Sequence, residues 1–225
     1  MPGDIFATKG LEYLLVVVYF VLLIALVRVI APPVTATAAP SRRRPAVTPW
    51  FSLAEGYHFH PGHAWAAATD GEIVTVGLDD FAAQLVGPPD GFELPAVGAG
   101  VRQGEPGWAL RAGDRALTML SPMEGEVVAV NPAVLATPRL AADDPYGQGW
   151  LLKVRAPNRK ASLKNLFSGE LAAVWMRHAT DRLQRLPATG LGVVMADGGT
   201  PVRGFGRALG PDEWQAVARD FFLTG

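Results

Sequence analysis

Apolar positions follow three patterns along the chain. They are unbroken from Leu11 to Ile30, alternate in short runs between Tyr57 and Ala156, and recur at helical spacing beyond Ser162. Each pattern predicts a different kind of element.

The first run, LEYLLVVVYFVLLIALVRVI, is about 20 residues long, and at 1.5 Å per helical residue it matches a hydrocarbon core of roughly 30 Å. A single transmembrane helix is expected, within an anchor of residues 1–31. Glu12 and Arg28 lie near its ends, where their heads reach the headgroups, and Tyr13 suits an interface. The competing reading is a cleaved leader, since Ala36-Thr37-Ala38 has a small-x-small form. The segment before the run holds Asp4, Glu12 and only Lys9, a poor basic start for a leader, so an anchor is preferred. Arg28 and Arg42-Arg43-Arg44 follow the run, so the positive-inside bias puts the amino terminus outside and the carboxy-terminal domains in the cytoplasm. Five prolines, from Pro32 to Pro49, make residues 32–55 an extended linker.

In the second pattern, Trp108 and Leu110 alternate before Gly113-Asp114, and Leu117 and Met119 after it. That is a hairpin closed by a two-residue type II′ turn, with Gly in the position that needs a positive φ. Ser121 to Gly125 then turn into a strand over 126–130, which Asn131-Pro132 ends. With the runs at 73–76 and 150–154 this predicts a flattened all-β barrel-sandwich over 56–157. One short helix is expected near Asp79 to Leu85, with Asp79 as N-cap and Phe81, Ala82 and Leu85 buried.

The third pattern makes residues 158–225 an α+β appendage, so the fold class is α+β. Leu163, Leu166, Phe167, Leu171, Val174, Trp175, Leu183 and Leu186 predict one broken or two consecutive helices, interrupted at Ser168-Gly169. A hairpin is expected through 193–199. Pro211 opens a last helix with Trp214, Val217, Ala218, Phe221 and Phe222 as its apolar stripe.

Charge is segregated along the 225 residues. Residues 1–50 carry a net +3, 51–150 a net −9 and 151–225 a net +5. The acidic middle excludes nucleic-acid binding there, because phosphate neutralisation needs clustered Lys and Arg. With no cysteine in the chain, thiolate catalysis, Cys-based zinc and iron–sulfur clusters are excluded too. No nucleotide, metalloprotease or hydrolase motif is present, so neither an enzyme nor a small-molecule substrate is expected.

Several strings within 57–154 occur in a specific order: His63-Ala64-Trp65, Val76-Gly77-Leu78, Leu85-Val86-Gly87, Leu94-Pro95-Ala96-Val97-Gly98, Ser121-Pro122-Met123-Glu124-Gly125-Glu126-Val127 and Asp144-Pro145-Tyr146-Gly147-Gln148-Gly149-Trp150. On these residues the module resembles the H protein of the glycine cleavage system, a relative of lipoyl and biotinyl carrier domains. The resemblance implies a two-sheet β-fold and a lipoyl group on a lysine at the tip of the hairpin. The corresponding positions here are Arg111 to Asp114, or Arg115 with a one-residue shift. The chain holds no lysine between Lys9 and Lys153, and a guanidinium cannot replace the amine in the lipoyl amide. No lipoyl attachment and no cofactor are therefore expected.

Three sets of polar residues are candidate sites. Arg111, Asp114 and Arg115 at the tip form a candidate interaction site, against a plain solvated turn. Arg155, Arg159, Lys160 and Lys164, with Lys153 before them and Arg177, Arg182 and Arg185 beyond, are candidates for anionic lipid or an acidic partner, against a solvated helix face. His58, His60 and His63 form a candidate metal set, since a strand places His58 and His60 on one face; the preferred reading is no metal, with the His-x-Trp feature structural.

Together these features lead to the expectation of a non-catalytic, membrane-anchored docking subunit in a multi-subunit membrane complex, respiratory or otherwise electron-transferring, with other subunits and the lipid bilayer as partners. Two alternatives stand beside it: a lipoyl-carrier-related or regulatory protein of glycine cleavage and lipoate metabolism, and a metal-binding module.

Overall fold

The computed structural model describes residues 13–23, 50–185 and 202–224. The chain divides into two compact units, Met1–Ala39 and Pro40–Gly225.

In the first unit, residues 13–23 form a helix, α1, whose apolar side chains are all exposed. Eleven helical residues span about 16 Å, roughly half of a hydrocarbon core. Among the described residues no helix is long and apolar enough to cross a membrane. The spanning helix expected over 11–30 is thus not found among the described residues, and the rest of that stretch lies outside them.

The second unit is built from two antiparallel sheets, as the period-two patterning requires. Six strands, β1 (His58–Phe59), β2 (Ala64–Ala68), β3 (Ile73–Leu78), β9 (Leu152–Arg155), β8 (Gly125–Val130) and β5 (Gly100–Val101), lie in that spatial order. The other sheet contains β4 (Gly91–Glu93), β6 (Pro106–Ala112) and β7 (Arg115–Leu120). On β6 and β7 the inward residues Trp108, Leu110, Ala112, Leu117 and Met119 are buried. Each large one contributes roughly 1.5–3 kcal/mol through lost apolar exposure.

Trp65 on β2 faces Gly77 on β3, and a side chain at Gly77 would sit 2.5 Å from the indole, so the ring lies flat over bare backbone. Its Nε1 donates to the Pro145 carbonyl at 3.0 Å. Gly77 is therefore explained by packing.

Helix α2 (Asp80–Val86) starts where expected, with Asp79 accepting from the Ala82 amide at 2.9 Å. Six of its seven residues are buried. Trp50, Phe51, Leu53 and Ala54 cover one side, so residues 50–54 do not belong to an extended linker as the 32–55 boundary supposed. Phe51 packs on Phe81 at 4.8 Å, and Ser52 donates to Asp80 through both its amide and its hydroxyl. Burying those aromatic rings outweighs the freedom of a solvated spacer.

Two short helices were not anticipated: α3 (Pro132–Ala136) and α4 (Leu140–Asp143). Asn131-Pro132 does end β8, but it also starts α3, with the Asn131 side chain accepting from the Ala133 amide and proline at the first position. After β9 come α5 (Arg159–Lys164) and α6 (Gly169–Gln184), the two consecutive helices expected, with the break at Ser168. The hairpin expected over 193–199 lies outside the described residues. A 3-10 turn (Phe205–Ala208) leads to α7 (Pro211–Phe222), which buries the whole anticipated stripe of Trp214, Val217, Ala218, Phe221 and Phe222.

Candidate functional site

The two-residue turn Gly113-Asp114 closes the β6–β7 hairpin, with Ala112 paired to Arg115. Gly113 has φ +66° and Asp114 has a negative φ, the signs of a type II′ turn. The Gly113 amide donates to Asp90 Oδ2 at 2.5 Å, and the Asp90 amide donates to the Arg111 carbonyl at 2.8 Å, so the neighbouring loop braces the turn. Arg111 and Asp114 are exposed, the Arg111 guanidinium lying alongside Gly91 of β4.

Arg115 behaves differently. Its guanidinium donates to the Gly206 carbonyl at 2.7 Å and to the Leu209 carbonyl, and lies 5.1 Å from the centre of the Trp214 ring. Planar donors aimed at two carbonyls, over an aromatic face, suit arginine in a way lysine's single ammonium does not. Arg115 is thus held by the chain's own carboxy-terminal segment.

The three histidines do not share a centre. His63 Nδ1 lies 2.8 Å from Asp79 Oδ2, both residues being 1% or less exposed. A carboxylate only accepts, so Nδ1 is the protonated ring nitrogen. The imidazole stacks on Phe81 at 3.9 Å and touches Trp175 and Phe222. His60 lies outside β1, and its Nδ1 accepts from the Gly62 amide at 3.0 Å. Burial, with a smaller contribution from His63, pushes the His60 pKa down to about 4, and burial also lowers that of His58. Among the described residues no group of three metal-ligating side chains converges, so the metal-binding alternative has no geometry here.

The basic candidates lie elsewhere. Arg155 pairs with Glu126 at 3.4 Å, an exposed contact worth about 0–1 kcal/mol. Arg159 and Lys160 line an open depression of about 450 Å³ with Glu72, Pro157, Asn158 and Ala161, while Lys164 is exposed at the end of α5. No hydrogen bond or ion pair links this set to the tip among the described residues. Lys153 on β9, the lysine next in sequence after Lys9, lies over the ring of Trp150, which precedes that strand, away from the turn.

Sequence reasoning missed the partners of Arg115 and of His63. Asp79 was recognised as a cap and His63 as structural, but nothing local pairs residues 16 positions apart. The carbonyls that receive Arg115 come from more than 90 residues away.

The family model for glycine cleavage H-protein matches residues 57–179, more than half of the chain. The chain belongs to the glycine cleavage H-protein family. It is 38% identical over 120 residues to the glycine cleavage system H protein of Synechococcus sp. (strain CC9605), covering 53% of this chain and 92% of that protein. To the H protein of Thermobifida fusca (strain YX) it is 41% identical over 101 residues, 45% of this chain and 79% of that one. A crystal structure of a glycine cleavage system H protein from Mycobacterium marinum aligns at 24% identity and a TM-score of 0.49, over 56% of this chain and 99% of that chain.

These relatives overturn the expected docking subunit of an electron-transfer complex. They are named for glycine cleavage, which agrees with the alternative drawn from the same motifs. H proteins are carriers and not catalysts, so this chain is not itself an enzyme.

Proposed function

We propose that this H-protein family member acts in glycine cleavage and lipoate-dependent metabolism as a regulatory relative of the carrier, without a lipoyl group of its own. The observation that carries this reading is the tip: within a module matched over 57–179, the turn is Gly113-Asp114 flanked by Arg111 and Arg115, with no lysine from residue 10 to residue 152. Lipoyl attachment needs a primary amine, and arginine at a neighbouring position has none.

The apolar run at 11–30, followed by Arg42-Arg43-Arg44, supports membrane attachment with the module on the cytoplasmic side. Attachment predicts that the chain stays with membranes after alkaline carbonate washing; release into the supernatant would count against it.

The carrier question is decided by intact mass. The native chain is expected at its unmodified mass, and a species heavier by one lipoyl group would overturn the reading. Regulation is tested by adding the purified chain to a reconstituted glycine cleavage system that contains its authentic H protein. A dose-dependent change in rate is expected, and an unchanged rate at excess chain would remove the regulatory role.

A further inference from the structure

The family match ends at residue 179, yet residues 202–224 pack directly onto the matched module. Besides the buried Phe221 and Phe222, the Arg203–Asp143 ion pair and the Arg207 bonds to the Val86 and Pro88 carbonyls, three contacts define the attachment. The Gly204 amide donates to the Gln84 carbonyl at 2.7 Å, at the end of α2. There two glycines let the backbones touch: Gly87 has φ +76°, and a side chain on it would lie 2.7 Å from the Gly204 Cα. At the other end, the Thr224 hydroxyl donates to the Thr118 carbonyl on the outer edge of β7 at 2.9 Å. Between these points the Gly206 and Leu209 carbonyls and the Trp214 ring receive Arg115.

We propose that residues 202–224 form an intramolecular cap, anchored by Arg115, that closes the hairpin face to outside partners. The turn that offers a lysine-borne group in a carrier is here a docking point for the chain's own carboxy terminus. Three properties support this role over incidental packing. The cap comes from outside the family module. It receives Arg115 on backbone carbonyls, Gly206 in the 3-10 turn and Leu209 just after it, so this contact depends on the shape of the turn, while the Arg203–Asp143 ion pair at 2.9 Å adds a separate tie to α4. It also occupies the free edge of β7, where another chain would otherwise add a strand. Only the meaning of the tip rests on the carrier reading above; the cap is tested separately from it.

The test is hydrogen–deuterium exchange on the full chain in detergent, comparing wild type with Arg115→Ala and Arg115→Lys. Losing two charge-assisted bonds is expected to speed exchange over 203–209 by roughly ten-fold or more in Arg115→Ala. Residues 113–118 are expected to speed up with it, while β2, β3 and β9 stay at wild-type rates. Arg115→Lys, which keeps the charge but not the planar fork, is expected to fall between the two. Exchange over 203–209 within two-fold of wild type in Arg115→Ala would overturn the cap. So would acceleration spread evenly through the sheets, because Arg115 would then support the whole fold and not this closure. A lipoyl mass increment, by contrast, would sink the lipoyl-free reading of the tip and leave the exchange pattern as predicted.

Discussion

Asp79 performs two tasks with its two oxygens, and their removal has a calculable cost. Oδ1 caps α2 through the Ala82 amide at 2.9 Å, and Oδ2 accepts from His63 Nδ1 at 2.8 Å in a site closed to water. Replacement by alanine loses the cap, about 0.5–2 kcal/mol. It also strands a buried imidazole N–H, at about 1–3 kcal/mol. Because one residue serves both, the two costs overlap, and about 2–4 kcal/mol is expected for Asp79→Ala. In a domain of this size that lowers the melting midpoint by roughly 5–15 °C. Asparagine caps as well as aspartate and can donate its amide to Nδ1 if the ring changes tautomer, so Asp79→Asn should cost about 1 kcal/mol. Urea unfolding of the three proteins, followed by tryptophan fluorescence, measures both differences. An Asp79→Ala loss below about 0.5 kcal/mol would refute the reasoning, since neither bond would then be stabilising at the level typical of buried polar groups. Equal losses in the two variants would remove the cap from the account and leave the carboxylate charge as the source.

Other outcomes follow from the same structure. The folded-state pKa of His60, near 4, lies below the ordinary 6.5, so its contribution to stability is complete above about pH 6.5 and is lost as pH falls towards 4. His60→Asn, whose side-chain oxygen can replace Nδ1 as acceptor for Gly62, should flatten the stability profile between pH 4 and 6.5 by about 2–4 kcal/mol; an unchanged profile in urea titrations at each pH would contradict this. At Gly125, an added Cβ would lie 2.1 Å from the Arg155 carbonyl oxygen, so Gly125→Ala should force β8 from β9 and cost at least about 2 kcal/mol, whereas a wild-type unfolding midpoint would show that the strands part freely.

The local elements were legible because each is written in a few adjacent residues. Alternation about Gly113-Asp114 encodes β6, the turn and β7, since a two-residue turn with a positive φ first leaves one register. Asp79 ahead of Phe81, Ala82 and Leu85 encodes a capped helix, and Pro211 with its apolar stripe encodes α7. The family strings were equally readable. The inferred setting failed because a stretch without lysine says nothing about whom a surface meets; the named relatives supplied glycine cleavage.

By itself, then, the sequence determined periodicity, turn chemistry and caps. All of these are decided within a turn or a strand by sterics and bonding capacity. Tertiary structure alone decided that His63 meets Asp79, that residues 50–54 and 202–224 enclose α2, and that Arg115 faces inward to carbonyls more than 90 residues away. Such contacts depend on how sheets and helices stack to exclude water, and the residues that make them have no common period from which they could be read.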